Sequence, residues 1–211
     1  MNYYQDRGQG LLANLPQVTR IVLIINVLVF AGEFLIETAT RVPYGNYLAL
    51  WPYHSGNFRP YQLVTYMFMH GGFFHILFNM YGLYIFGRYL ETTMGSKKYF
   101  ILYFVSGLGA AGLQFLVNFL TGSTVPMVGA SGAVMGIVAA FGVYYPNVQL
   151  MLLFPPIPIR AKYMAVAFIG ISMLFDAGGG TMRVAHMAHI GGAVIGFILT
   201  RFWTKNQFRE Y

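Results

Sequence analysis

Apolar residues fall in long runs along this chain, with few polar interruptions, and those runs set the predicted elements. A run of about 17–25 predominantly apolar residues is the length that crosses a bilayer as a helix. Six such helices are predicted. They lie near residues 19–38, within the uncharged run 61–87, and near 99–120, 130–145, 161–176 and 183–202. The fourth and fifth are short for a span, which suits a thinned or tilted arrangement. Pro146 closes the fourth, and Pro155, Pro156 and Pro158 fill the loop after it. The first loop, about 39–60, carries Tyr44, Tyr47, Leu48, Leu50, Trp51, Pro52, Tyr53 and Phe58. It is too apolar for a solvated loop and too broken for a span, so it is expected in the outer membrane interface, where aromatic rings settle.

Composition strengthens this picture. Only 9% of the 211 residues are charged and 57% are hydrophobic, against about 25% charged in a soluble domain. The expected architecture is an all-α membrane protein, one six-helix bundle at 19–204 between short tails at 1–18 and 205–211. Cysteine is absent, which excludes disulfides and thiol chemistry. The first 15 residues lack the apolar core of a cleavable signal. Placing the N-terminus inside puts Arg7, Arg20, Arg88, Lys97, Lys98, Arg160, Lys162, Arg201, Lys205 and Arg209 on the inner side. Arg41, Arg59 and Arg183 remain outside, so the net charge of +7 is mainly a topology signal. It marks no nucleic-acid surface, because no basic stripe interleaves with aromatics on a soluble face. A bacterial cytoplasmic membrane is the expected location.

Candidate chemistry sits where lipid should exclude it. Ser131 opens the fourth helix, His189 lies in the sixth, and His75 and Asn79 are four apart on one face of the second. All four fall in the outer part of the bilayer, and polar groups there are costly enough to imply function. The plainer readings are a serine bonded back to its own helix and a histidine bridging two helices. Gly132 and Gly136 on the fourth helix, and Gly192 and Gly196 on the sixth, repeat at four-residue spacing. Small residues so spaced let backbones approach closely, which would carry the Ser131 hydroxyl toward the His189 imidazole. A serine is a weak nucleophile until a base takes its proton, and histidine accepts it and returns it to a leaving amine. The Ser131 N–H and the His75 and Asn79 side chains are candidate oxyanion donors. Glu33, Glu37, Glu91 and Asp176 have no path to His189, so the pattern is a dyad.

Gly129-Ala-Ser131-Gly132 followed by Ala188-His189-Ile-Gly-Gly192 and Gly196 resembles the rhomboid intramembrane serine proteases. So does His70-Gly-Gly-Phe-Phe-His75-Ile-Leu-Phe-Asn79, and Gly87-Arg88-Tyr89-Leu90-Glu91 resembles the turn after the family's second helix. The resemblance implies Ser131 as nucleophile, His189 as general base and acid, His75 and Asn79 at the oxyanion hole, and His70 in a structural or water-retaining role. It also implies substrates that are transmembrane segments of other proteins, cut at small residues where the helix unwinds, with no cofactor. Two positions depart from the family pattern: Arg59-Pro60-Tyr61-Gln62 stands where Trp-Arg is common, and Met135 where an aromatic packs on the imidazole. His186 also follows an alanine, yet only His189 precedes the Ile-Gly-Gly register. The competing readings are a metal site or transporter using His70, His75, His186 and His189, and a non-catalytic relative that binds membrane helices.

Overall fold

The computed structural model describes residues 13–151, 156–167 and 185–205. Long helices dominate them: α1 (Gln17–Thr40), α6 (Ser96–Thr121), α7 (Ser131–Tyr144) and α8 (Ala185–Thr204). Shorter ones are α2 (Gly45–Leu48), α3 (Gln62–Thr65), α4 (Phe73–Gly82) and α5 (Arg88–Met94). Among these, α1 and α6 are long and apolar enough to cross a membrane, and α7 is a shorter apolar helix.

The predicted second helix takes a different form. Helical turns at Gln62–Thr65 and Tyr66–Phe68 come first, and the chain is extended at Met69. Only then does α4 begin, running through a π turn at Leu83–Gly87 into α5. The segment Gly87–Glu91 is therefore continuous helix, and the turn falls at Gly95, whose φ is +81°. Apolarity alone is blind to such breaks, because a continuously apolar run has no periodicity that tells helical from extended backbone. The loop after α7 also holds structure: β1 (Gln149–Met151) pairs antiparallel with β2 (Pro158–Arg160), Gln149 opposite Arg160. Residues 161–167 are helical, while 168–176 of the predicted fifth helix and 183–184 of the sixth lie outside the described residues.

Two features hold the bundle together. At one end Glu91 of α5 caps α1. Its carboxylate accepts from the N–H groups of Val18 (2.8 Å) and Thr19 (2.7 Å), and from the hydroxyls of Thr19 (2.7 Å) and Ser96 (2.6 Å). Those N–H groups have no partner inside α1, and an anion there also meets the positive end of the helix dipole. In the centre, α6, α7 and α8 pack most extensively. A side chain on Gly192 would overlap the carbonyl of Gly132, and one on Gly196 the carbonyl of Gly136. On the α6 side, Ala110 meets Gly132, Ser106 meets Gly136, and the Gly109 carbonyl lies 2.7 Å from where a Gly191 Cβ would stand. Backbones so close gain dispersion contacts that side chains would block.

Candidate active site

The glycine register fixes how α7 and α8 lie. Gly132 faces Gly192 and Gly136 faces Gly196, so the two helices run parallel. A Cβ on Gly132 would lie 3.5 Å from the Ala188 carbonyl. Ser131 and His189 each adjoin one of these two residues, which sets them at one height on facing helices. Both are half-buried.

Ser131 is the first residue of α7, and no side chain caps that end of the helix. The first intrahelical bond runs from Val134 N–H to the Ala130 carbonyl (2.9 Å). N–H groups ahead of it have no helical acceptor and face the space before the helix. The approach to Ser131 is held on two sides. Leu50 and Met127 exchange both backbone hydrogen bonds at 2.9 Å, and Gly129 N–H donates to the Tyr66 carbonyl at 2.9 Å. Gly129 has φ +123°, a conformation other residues rarely adopt.

His75 comes to the same place from α4. Its Nδ1 accepts the Gly71 N–H at 3.3 Å. A neutral imidazole that accepts at Nδ1 carries its proton on Nε2. A Cβ built on Gly129 would lie 2.7 Å from His75 Nε2 and 3.6 Å from Ser131 Oγ. The donor edge of the imidazole and the serine hydroxyl thus border one small space, kept open because residue 129 is glycine. His70 is buried behind, its ring edge-on to His75 with centroids 5.1 Å apart.

Asn79 behaves otherwise. It is buried, and its Nδ2 donates to the His75 carbonyl at 2.9 Å. That hydrogen braces the turn carrying His75 and is not aimed at Ser131. His186 stands one turn from His189 on α8, with ring centroids 6.3 Å apart. Met135 is half-buried one turn further along α7 from Ser131. Among the described residues, no three His, Asp or Glu side chains come together as metal ligands.

A family model described as the rhomboid domain matches residues 57–206, most of the chain, including Ser131, His189, His75, Asn79 and His70. The chain belongs to the rhomboid family. It is 32% identical over 167 residues to Rhomboid-like protein 11, chloroplastic, of Arabidopsis thaliana, covering 76% of this chain and 57% of that one. It is 34% identical over 147 residues to Rhomboid protease AarA of Providencia stuartii, covering 64% and 52%. A third relative is the Putative rhomboid protease YdcA of Bacillus subtilis, 29% identical over 157 residues, covering 72% and 71%. The chain thus spans about half the length of the first two of these relatives. Family membership and the two long apolar helices make it a membrane protein.

Sequence reasoning did not single out the third wall of this rhomboid core. Ser106, Gly109 and Ala110 of α6 close on the α7–α8 seam, and the run Gly109-Ala-Ala-Gly112 was the available signal. The backbone brackets at Leu50, Tyr66 and Gly71 leave no such trace, because any residue carries an N–H and a carbonyl.

Proposed function

We propose that this rhomboid-family protein is an intramembrane serine endopeptidase that cleaves transmembrane segments of membrane proteins with a Ser131–His189 dyad. The observation that carries the reading is the shared space between Ser131 Oγ and His75 Nε2 beside Gly129. A nucleophile beside an aimed N–H donor is the arrangement that acyl transfer requires. His189 supplies the base, at matching height on the helix packed against α7.

In this mechanism Ser131 Oγ attacks the scissile carbonyl while His189 takes its proton. Negative charge collects on the carbonyl oxygen, which accepts from His75 Nε2–H and from N–H groups at the start of α7. His189 then returns the proton to the departing amine, and water hydrolyses the acyl-enzyme with His189 again as base. Asn79 supports His75 through its carbonyl and offers its second amide hydrogen. The substrate helix must unwind locally, since a helical peptide bond is hydrogen-bonded and shielded. Small scissile residues follow from the family resemblance.

The reading places six spans at 19–204, an inner N-terminus, and the aromatic first loop in the outer interface. Tyr44, Tyr47 and Tyr53 are exposed on that loop, as rings meeting lipid headgroups would be. The inner bias of basic residues sets the orientation, with the cytoplasmic membrane of a bacterium as the setting.

Labelling of detergent-purified protein with a fluorophosphonate probe tests the assignment. Wild type and His186→Ala should label, and Ser131→Ala and His189→Ala should not. Full labelling of His189→Ala would remove the dyad. A folded wild type that never labels points to a non-catalytic protein that binds membrane helices.

A further inference from the structure

Gln62, the first residue of α3, stands in the stretch that departs from the family's common Trp-Arg, and its side chain is tied to the backbone of the first loop. It is 1% exposed. Its Oε1 accepts the N–H groups of Trp51 (3.3 Å) and Arg59 (3.1 Å). Its Nε2 donates to the carbonyls of Tyr47 (3.2 Å) and Asn57 (3.3 Å). An amide side chain has two donors and two acceptor lone pairs, so all four are used, and each goes to loop backbone. Thr65 and Tyr61 add two more ties, to the carbonyls of Leu48 (2.7 Å) and Tyr47 (3.1 Å).

This anchoring reaches the nucleophile. The loop residue before Trp51 is Leu50, whose backbone pairs with Met127. Four residues beyond Gln62, on the same helical run, the Tyr66 carbonyl takes the Gly129 N–H. Both of these connections to the segment that leads into Ser131 therefore start from the region Gln62 organises. We propose that Gln62 is a positioning residue: by fixing the first loop to α3, it holds residues 127–129 and so sets where Ser131 Oγ stands relative to His75. The proposal rests on the serine-protease reading for its functional consequence.

The experiment combines amide hydrogen exchange with fluorophosphonate labelling on wild type, Gln62→Leu and Gln62→Glu, below the unfolding temperature of each. Gln62→Leu keeps the bulk and removes all four bonds. Its labelling rate and kcat should fall by about 10- to 100-fold, the scale of an ångström-level misplacement, with KM for a transmembrane substrate unchanged. Protection of the Met127 and Gly129 amides should drop with it. Gln62→Glu keeps the bonds from Trp51 and Arg59 but turns an acceptor oxygen on the Tyr47 and Asn57 carbonyls, so labelling and protection should fall here too. It also decides the matter if Gln62→Leu does not fold. Wild-type labelling rate and wild-type protection at Gly129 in a folded variant, even one with a lowered melting temperature, would overturn the proposal. A wild type that fails to label sinks the protease reading alone, since loss of protection at Met127 and Gly129 still reports the mechanical coupling.

Discussion

Removing the Glu91 carboxylate should unfasten α1. The side chain is 2% exposed and accepts four hydrogen bonds, three from the first turn of α1 and one from Ser96. Hydrogen bonds to a charged group contribute about 1.5–3 kcal/mol each in isolation. Here four share one carboxylate, so the values do not add. A simple N-cap loss of about 0.5–2 kcal/mol sets the lower bound. Buried donors left without partners cost about 1–3 kcal/mol apiece, and water reaches few of them. Glu91→Ala should therefore cost about 3–5 kcal/mol, the scale of removing one partner from a buried ionic contact. For a chain of this size that is a fall of roughly 10 °C in melting temperature in detergent. Glu91→Gln keeps the shape and one acceptor and should lose less.

The same carboxylate predicts a pH dependence. Glu91 lies in α5, beyond the proposed second span. Burial pushes its carboxyl up, but the Ser96 hydroxyl, the Thr19 and Val18 N–H groups and the Thr19 hydroxyl together outweigh burial, and the net direction is down. A lowered folded-state value stabilises the protein above the ordinary carboxylate range, about 4.3, and that stability is lost as pH falls through the lowered value. Wild type should thus exceed Glu91→Gln in melting temperature at pH 7, and the gap should narrow below about pH 4. Thermal unfolding followed by tryptophan fluorescence reads both effects. A Glu91→Ala protein that melts within about 2 °C of wild type would refute the capping argument.

The packing seam and the site glycine make separate predictions. Gly192→Ala should destabilise strongly and abolish labelling, because its Cβ would overlap the Gly132 carbonyl. Gly112→Ala, on α6 with nothing within 4 Å of the added methyl, should be neutral or stabilise by about 0.5–1 kcal/mol. Paired melting curves check both, and equal losses would dissolve the seam. Gly129→Ala would place a methyl 2.7 Å from His75 Nε2 at φ +123°. It should lose labelling far out of proportion to its fall in melting temperature, and normal labelling would mean that His75 and Ser131 do not share the space. Chelator treatment of purified wild type should leave labelling unchanged, which a histidine metal site would not permit.

Much of the helical content was legible, for a physical reason. A span must be apolar over its whole length, so α1, α6 and α7 stand out within three residues of where they were expected. The second helix was less legible. Residues 61–87 are uniformly uncharged, yet they fold as short turns, an extended step at Met69, α4 and a π turn. The site showed the same split. Ser131 and His75 stood out as candidates because a polar side chain in lipid is costly without a role, and Gly129 only as part of the motif that carries the family resemblance. Glu91 stood out only as an acid with no path to His189, and Gln62 as a simple departure from a motif.

What the sequence determined by itself was which residues are membrane-compatible and which reactive groups lipid would not tolerate without cause. Gly132, Gly136, Gly192 and Gly196 carried the α7–α8 seam as a spacing, because small residues in a helix have one evident use in lipid. Only the tertiary structure decided which backbone groups meet. Gly71 N–H on His75 Nδ1, Tyr66 O on Gly129 N–H and Leu50 against Met127 set the imidazole tautomer and the place of Ser131. Those contacts use main-chain atoms that every residue possesses. Composition cannot encode such pairings, and only the packed chain selects among them.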